Sequence, residues 1–196
     1  MSTVGILLFD DVEELDFAGP WEVFGMAALV AGSGRVVSIA EHAEPIRGAK
    51  GLRVLPDHTF ETAPELDVVV VPGGQGTRRE VENAALIGWL GRVAERARWV
   101  TSVCTGSLLL HGAGLVRGRR VTTHHACVDT LRPRGDVEVL AGPRYVRDGN
   151  VVTAAGVSAG IDMALWLVGQ MHTPALARQV QHFMQYDPAP PYAAEV

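Results

Sequence analysis

The chain has 196 residues, long enough for one well-buried core and short for two. With 17 Lys and Arg against 22 Asp and Glu, the net charge is −5, and 47% apolar with 20% charged residues is globular composition, so disorder is excluded for the bulk of the chain. An acidic total leaves no electrostatic footprint for nucleic acid, and the Arg pairs beginning at Arg78 and Arg119 are too short to make one, so no nucleic-acid partner is expected.

The first element is an apolar run over 4–9 that reads as a strand buried on both faces, the kind that suits a parallel sheet. A helix is expected over 19–31, with Pro20 in its first turn and Gly32-Ser33-Gly34 ending it. Strands are expected at 36–40 and 67–71, with a short extended piece at 52–55; the valines of 68–71 run into Pro72-Gly73-Gly74. A helical pattern covers 79–97, and a strand at 99–103 gives way at Cys104 to a helix ending near Gly112 or Gly114. Further on come a short strand at 121–123, a helix at 125–131 broken by Pro133 and Gly135, and a hairpin around Asp148-Gly149-Asn150. Helices follow around Ile161, Ala164, Leu165 and Val168 and from Pro174 to about Tyr186, and the proline-rich tail from about 187 is expected to be extended. No repeat and no linker divides the chain, so 1–196 is read as a single domain in which strands and helices alternate, an α/β sandwich with a mainly parallel sheet.

The longest stretch free of Asp, Glu, Lys and Arg, 99–116, is interrupted by Thr101, Ser102, Thr105, Ser107, His111 and glycines, so no membrane span is expected. The N-terminus lacks the basic and apolar regions of a signal peptide, which points to the cytoplasm. In that compartment Cys104 and Cys127 are expected to stay free thiols.

Ligands of open α/β sheets collect outside the carboxyl ends of the strands, where Cys104 is expected. A thiol at a strand-to-helix elbow meets backbone N–H groups that favour its thiolate, and Ser102, Thr105 and Gly106 are small enough for such a turn. An inert core thiol is the competing reading. Gly73 and Gly74 could offer unobstructed N–H groups to a developing anion, with Thr105 adding its own, although a Pro-Gly-Gly segment is also an ordinary turn. Asp16, flanked by Leu15 and Phe17, could be a desolvated carboxyl that exchanges a proton near neutral pH, or a helix cap. Asp162 reads as a helix-start carboxylate and Cys127 as a packed core thiol. Adjacent His124 and His125 do not have metal-ligand spacing, so no metal is assigned.

The chain resembles the DJ-1/PfpI superfamily, on Gly5-Ile6-Leu7-Leu8-Phe9, Leu15-Asp16-Phe17-Ala18-Gly19-Pro20, Val71-Pro72-Gly73-Gly74, Thr101-Ser102-Val103-Cys104-Thr105-Gly106-Ser107-Leu108, Gly118-Arg119-Arg120 through Thr123-His124, and Ala159-Gly160-Ile161-Asp162. Within it, the Asp16 motif, Thr105 after Cys104 and the tail from Tyr186 to Tyr192 are similar to the isonitrile hydratase branch. The resemblance implies a flavodoxin-like sandwich of the class I glutamine amidotransferase type, a homodimer with the helix after Pro20 as a contact element, and no cofactor. It implies hydration of a small-molecule isonitrile to an N-substituted formamide, with Cys104, Asp16 and Thr105 catalytic and Gly73, Gly74 and His124 lining the substrate. Two departures stand out: protease-like members carry His where this chain has Thr105, which argues against proteolysis, and many isonitrile hydratase-like chains carry Trp where this one has His125. Dicarbonyl hydration of the glyoxalase type and a thiol sensor or regulatory module are the alternatives that the superfamily offers.

Overall fold

The computed structural model describes residues 2–188. The chain runs β1 (Thr3–Leu7), α1 (Glu14–Ala31), β2 (Arg35–Ala40), β3 (Ile46–Arg47), β4 (Arg53–Val54), β5 (His58–Thr59) and β6 (Val68–Val71). It continues through α2 (Thr77–Glu80), α3 (Ala84–Ala94), β7 (Trp99–Val103), α4 (Gly106–Gly112), β8 (Arg120–Val121), α5 (Val128–Leu131) and β9 (Glu138–Val139). The hairpin β10 (Tyr145–Asp148) and β11 (Val151–Ala154) leads to α6 (Ala159–Met171) and α7 (Pro174–Phe183).

Seven strands form the central sheet in the order β10-β11-β7-β6-β1-β2-β5. All pairings are parallel except that of the edge hairpin β10-β11. β6 and β7 are buried at every residue because helices cover both faces, so β6 is four valines in a row and the Thr101 and Ser102 of β7 are buried too. Helices α1, α6 and α7 pack on one another as one layer, and α2 and α3 pack on α4. Because β1 connects to β2 on one side while β6 connects to β7 on the other, the carboxyl ends of β1, β6 and β7 open into a crevice where connections diverge.

Several elements differ from the sequence reading for local reasons. Helix α1 starts at Glu14, not 19, so Asp16 lies in its first turn and Pro20 inside it, where the ring removes the N–H that would bond the Asp16 carbonyl. The helix expected over 79–97 is broken into α2 and α3 because the Asn83 side chain caps α3, accepting from the Ala85 and Leu86 amides. The piece at 52–55 contracts to β4, which pairs antiparallel with β3. The strand at 121–123 becomes Arg120–Val121, paired with the unforeseen β9, and 125–131 divides into a 3-10 turn and α5. Of the tail, only Asp187 and Pro188 belong to the described residues; the extended conformation expected for the rest lies outside them. Among the described residues, no helix is long and apolar enough to cross a membrane.

Candidate active site

Cys104 sits at the carboxyl end of β7, immediately before α4, with a positive φ of 56°. That conformation is costly for a residue with a Cβ, by about 1–3 kcal/mol, and persists only where neighbours over-determine it. Here the Cys104 amide donates to the Ala154 carbonyl at 3.1 Å. Its carbonyl accepts the Ser107 and Thr123 hydroxyls at 3.2 and 3.0 Å, and those hydroxyls are 2.8 Å from each other. Close packing adds to the constraint. A Cβ at Gly106 would stand 2.0 Å from the Val71 carbonyl oxygen, and one at Gly73 would stand 2.5 Å from the Thr105 nitrogen. The loops after β6 and β7 therefore meet backbone to backbone, and both positions require glycine.

Asp16 reaches this elbow from α1. The Glu13 amide donates to the Gly73 carbonyl at 2.9 Å, which ties the loop after β1 to the loop after β6. The Asp16 carboxyl is fully buried, and its Oδ2 accepts the Gly73 N–H at 2.9 Å while Oδ1 has no hydrogen-bond partner in the structure. It is not a helix cap: that position is held by Glu13, whose side chain caps nothing. Burial pushes the Asp16 carboxyl up to about 7, with the nearby Glu13 charge adding to the rise and the Gly73 amide, the Cys104 thiol and the Val157 amide opposing it.

The thiol itself departs from expectation. A helix start was expected to favour the thiolate; instead burial, reinforced by the Asp16 charge, pushes Cys104 up to about 12 against the lowering effect of the Thr105 amide and hydroxyl. Cys104 is only 7% exposed, and α4 is just seven residues long, so desolvation outweighs the helix end.

The two glycine amides also differ from the sequence reading. They are not free donors, because Gly73 N–H is engaged by Asp16 and Gly74 N–H by the Thr105 hydroxyl at 3.0 Å. The Thr105 hydroxyl stands 3.1 Å from that of Thr77 and 3.2 Å from the Gly74 carbonyl, so Thr105 fastens the elbow to the Gly73-Gly74 loop.

His124 is brought to the same end of the sheet, where its Nδ1 accepts the Ala126 amide at 3.3 Å and its ring lies 4.2 Å from that of His125. Burial, the adjacent His125 ring and the Arg78 charge push its pKa down, so the ring favours its neutral form. A cavity of about 480 Å³ opens beside the elbow, with Thr123, His124, His125, Ala155 and Gly156 in its wall. Asp162 is drawn away from the thiol: it pairs with Arg144 and accepts the Tyr186 hydroxyl at 3.0 Å. Among the described residues, no three His, Cys, Asp or Glu side chains gather to hold a metal ion.

Sequence reasoning gave no role in the site to Ser107, Thr123, Thr77 and Val157. Their signal was the density of Ser and Thr in buried positions, at Thr101, Ser102, Ser107, Thr122, Thr123 and Thr153, since buried hydroxyls need partners. Val157, with φ 45°, gave no signal, because nothing in a Gly156-Val157 pair announces a left-handed β-branched residue.

Residues 2–170 match the DJ-1/PfpI family. The chain is 41% identical to an isonitrile hydratase of Pseudomonas putida, over 96% of this chain and 80% of that one. It is 29% identical to the Parkinson disease protein 7 homolog of Danio rerio, over 90% of this chain and 93% of that one. The crystal structure of a ThiJ/PfpI family protein from Pseudomonas syringae superposes with a TM-score of 0.90 at 33% identity, covering 100% of this chain and 79% of its own. An elbow thiol on a mostly parallel sheet, a family match over residues 2–170 and a superposing fold agree, and the chain belongs to the DJ-1/PfpI family.

Proposed function

We propose that this protein hydrates an isonitrile to an N-substituted formamide, with Cys104 as nucleophile and Asp16 as proton carrier. The observation that carries the reading is the buried pair itself: a carboxyl brought to about 7 facing a thiol raised to about 12. A free thiolate is scarce in such a pair at neutral pH, so sulfur must lose its proton as it attacks, and the Asp16 carboxylate is the base in reach. An isonitrile carbon that accepts sulfur becomes carbanion-like and needs that same proton. The Cys104 S–H thus adds across the terminal carbon by way of Asp16, giving the thioimidate in which sulfur is bonded to CH=N–R. Water then adds to that carbon, nitrogen takes a proton, and the carbon–sulfur bond breaks to release R–NH–CHO and restore the thiol.

The 41% identity to the Pseudomonas putida isonitrile hydratase supports the same reading. Hydration of a dicarbonyl is less well served, because attack at a carbonyl calls for free N–H donors and, with those of Gly73 and Gly74 engaged, only that of Thr105 remains of the three expected. His124 lines the cavity beside the elbow, and the enzyme is expected to work as a homodimer without a cofactor. The test is product analysis with alkyl and aryl isonitriles and with glyoxals. Formamide from the isonitriles that disappears in Cys104→Ala supports the reading, whereas hydroxy acid from glyoxals alone overturns it.

A further inference from the structure

Arg78 is the cation nearest in hydrogen-bond terms to the elbow, and it is held there without a counter-charge. Its Nη1 donates to the Gly74 carbonyl at 2.9 Å and to the Thr77 hydroxyl at 3.2 Å, and its Nη2 lies 3.2 Å from the Cys127 sulfur. The same Gly74 carbonyl accepts the Thr105 hydroxyl, so one shared acceptor separates the guanidinium from the residue that follows the nucleophile. On its other side, the positive charge bears on His124 in the wall of the cavity.

Four other cations at this end of the sheet are paired with carboxylates: Arg79 with Asp11 and Glu80, Lys50 with Glu13 and Glu14, Arg132 with Asp129, and Arg144 with Asp162. Among the described residues, no carboxylate stands within ion-pair distance of Arg78. The two acids tied to the loop after β6 are otherwise engaged: Glu13 pairs with Lys50, and Asp16 accepts the Gly73 amide. A guanidinium carries five N–H donors in a rigid fork suited to carboxylates, and one already fixed by neutral partners loses little freedom on binding. In a chain of net charge −5, an exposed cation that has no carboxylate partner and is hydrogen-bonded to the loop beside the elbow is one that an anion can use.

We propose that Arg78 is a substrate-recognition residue that binds an anionic group, a carboxylate, carried a few bonds from the carbon attacked by Cys104. Resting on the isonitrile reading above, this makes the favoured substrates isonitriles that bear a carboxylate.

The experiment compares alkylation of Cys104 by iodoacetate and by iodoacetamide, followed by peptide mapping on the full-length protein, in the wild type, Arg78→Met and Arg78→Lys. Both reagents meet the same sulfur, so its nucleophilicity cancels in their rate ratio. The iodoacetate-to-iodoacetamide ratio is expected to fall about tenfold in Arg78→Met, the loss of one charge-assisted contact, and to be partly restored in Arg78→Lys. The wild-type ratio should also fall as salt is raised, which needs no substitution. An unchanged ratio, or an equal slowing of both reagents as a loosened elbow would cause, overturns the proposal. In parallel, the preference in kcat/KM for isocyanoacetate over its methyl ester should drop in Arg78→Met. Formamide from both compounds with no change in that preference overturns the role of Arg78 and leaves hydration standing; a lowered alkylation ratio with no formamide from either overturns hydration and supports anion binding by Arg78.

Discussion

Asp16 accepts the Gly73 amide at 2.9 Å across 57 residues of sequence, and this bond fixes a buried carboxyl beside the elbow thiol. The Gly73 hydrogen bond, even with the weaker help of the Cys104 thiol and the Val157 amide, does not repay the removal of a carboxylate from water, so the group holds its proton up to about 7 instead of 3.8. The sign of the effect on stability follows. Below pH 3.8 both folded and unfolded chains are protonated there and nothing is lost. Between 3.8 and about 7 the unfolded chain ionises while the folded one keeps its proton, so stability falls as pH rises, and above 7 the full penalty applies. A shift of about 3 units corresponds to a penalty on the order of 4 kcal/mol as an upper bound. Asp16→Asn is therefore expected to be more stable than the wild type at pH 8 and nearly equal to it near pH 4, as read by urea unfolding; the same difference at both pH values would contradict it.

The Cys104 carbonyl is held by two hydroxyls that also touch each other, those of Ser107 and Thr123. Thr123→Val keeps the shape and removes one of them. The expected loss is about 1–2 kcal/mol of stability, the ordinary cost of an unmade buried hydrogen bond, with a lower kcat for isonitriles as the elbow relaxes. Because the three groups form one network, Ser107→Ala and Thr123→Val should be non-additive in a double-mutant cycle, and strict additivity would show that they act apart.

The elbow was legible because tight turns demand small residues: Ser102, Thr105 and Gly106 around a lone cysteine leave few other conformations, and the valine run of β6 leaves few other places in the sheet. Asp16 was legible as a desolvated carboxyl but not as a member of α1, since Pro20 reads as a helix start when it is an interior residue. What the sequence concealed was competition among long-range partners. Gly73 and Gly74 look like free donors until Asp16 and Thr105, 57 and 31 positions away, arrive to take them. The thiol likewise looks activated by a helix end until burial is counted.

Trp21 on α1, 37% exposed, and Leu55 after β4, 67% exposed, border an apolar groove of about 300 Å³ that Phe17, Ala18 and Val54 also line. Large apolar side chains gathered around a groove are expected to be covered by another molecule, and a second copy meeting through α1 is the occupant that a homodimer requires. Light scattering at micromolar concentration should give about twice the chain mass for the wild type and a shift toward the single-chain mass for Trp21→Glu. A wild-type monomer would remove the homodimer.

The most discriminating variant for the chemistry is again Asp16→Asn, because it should move two properties of Cys104 in opposite directions. Burial is the larger cause of the raised thiol pKa and survives the substitution, but the Asp16 charge is the second cause and does not. The thiol should therefore ionise more readily, and its alkylation by iodoacetamide at pH 8 should speed up. Isonitrile turnover should instead fall by about 10²-fold, because the group that takes the thiol proton and delivers it to carbon is gone. The pH profile adds a third reading: wild-type turnover should rise through about pH 7 as Asp16 becomes a carboxylate able to act as base, and that limb should be missing in the variant. A loss of both alkylation and turnover would mean that Asp16 only holds the elbow in shape. Unchanged turnover with faster alkylation would mean that the proton travels by another route, and His124, kept neutral at the wall of the cavity, would be the next residue to replace.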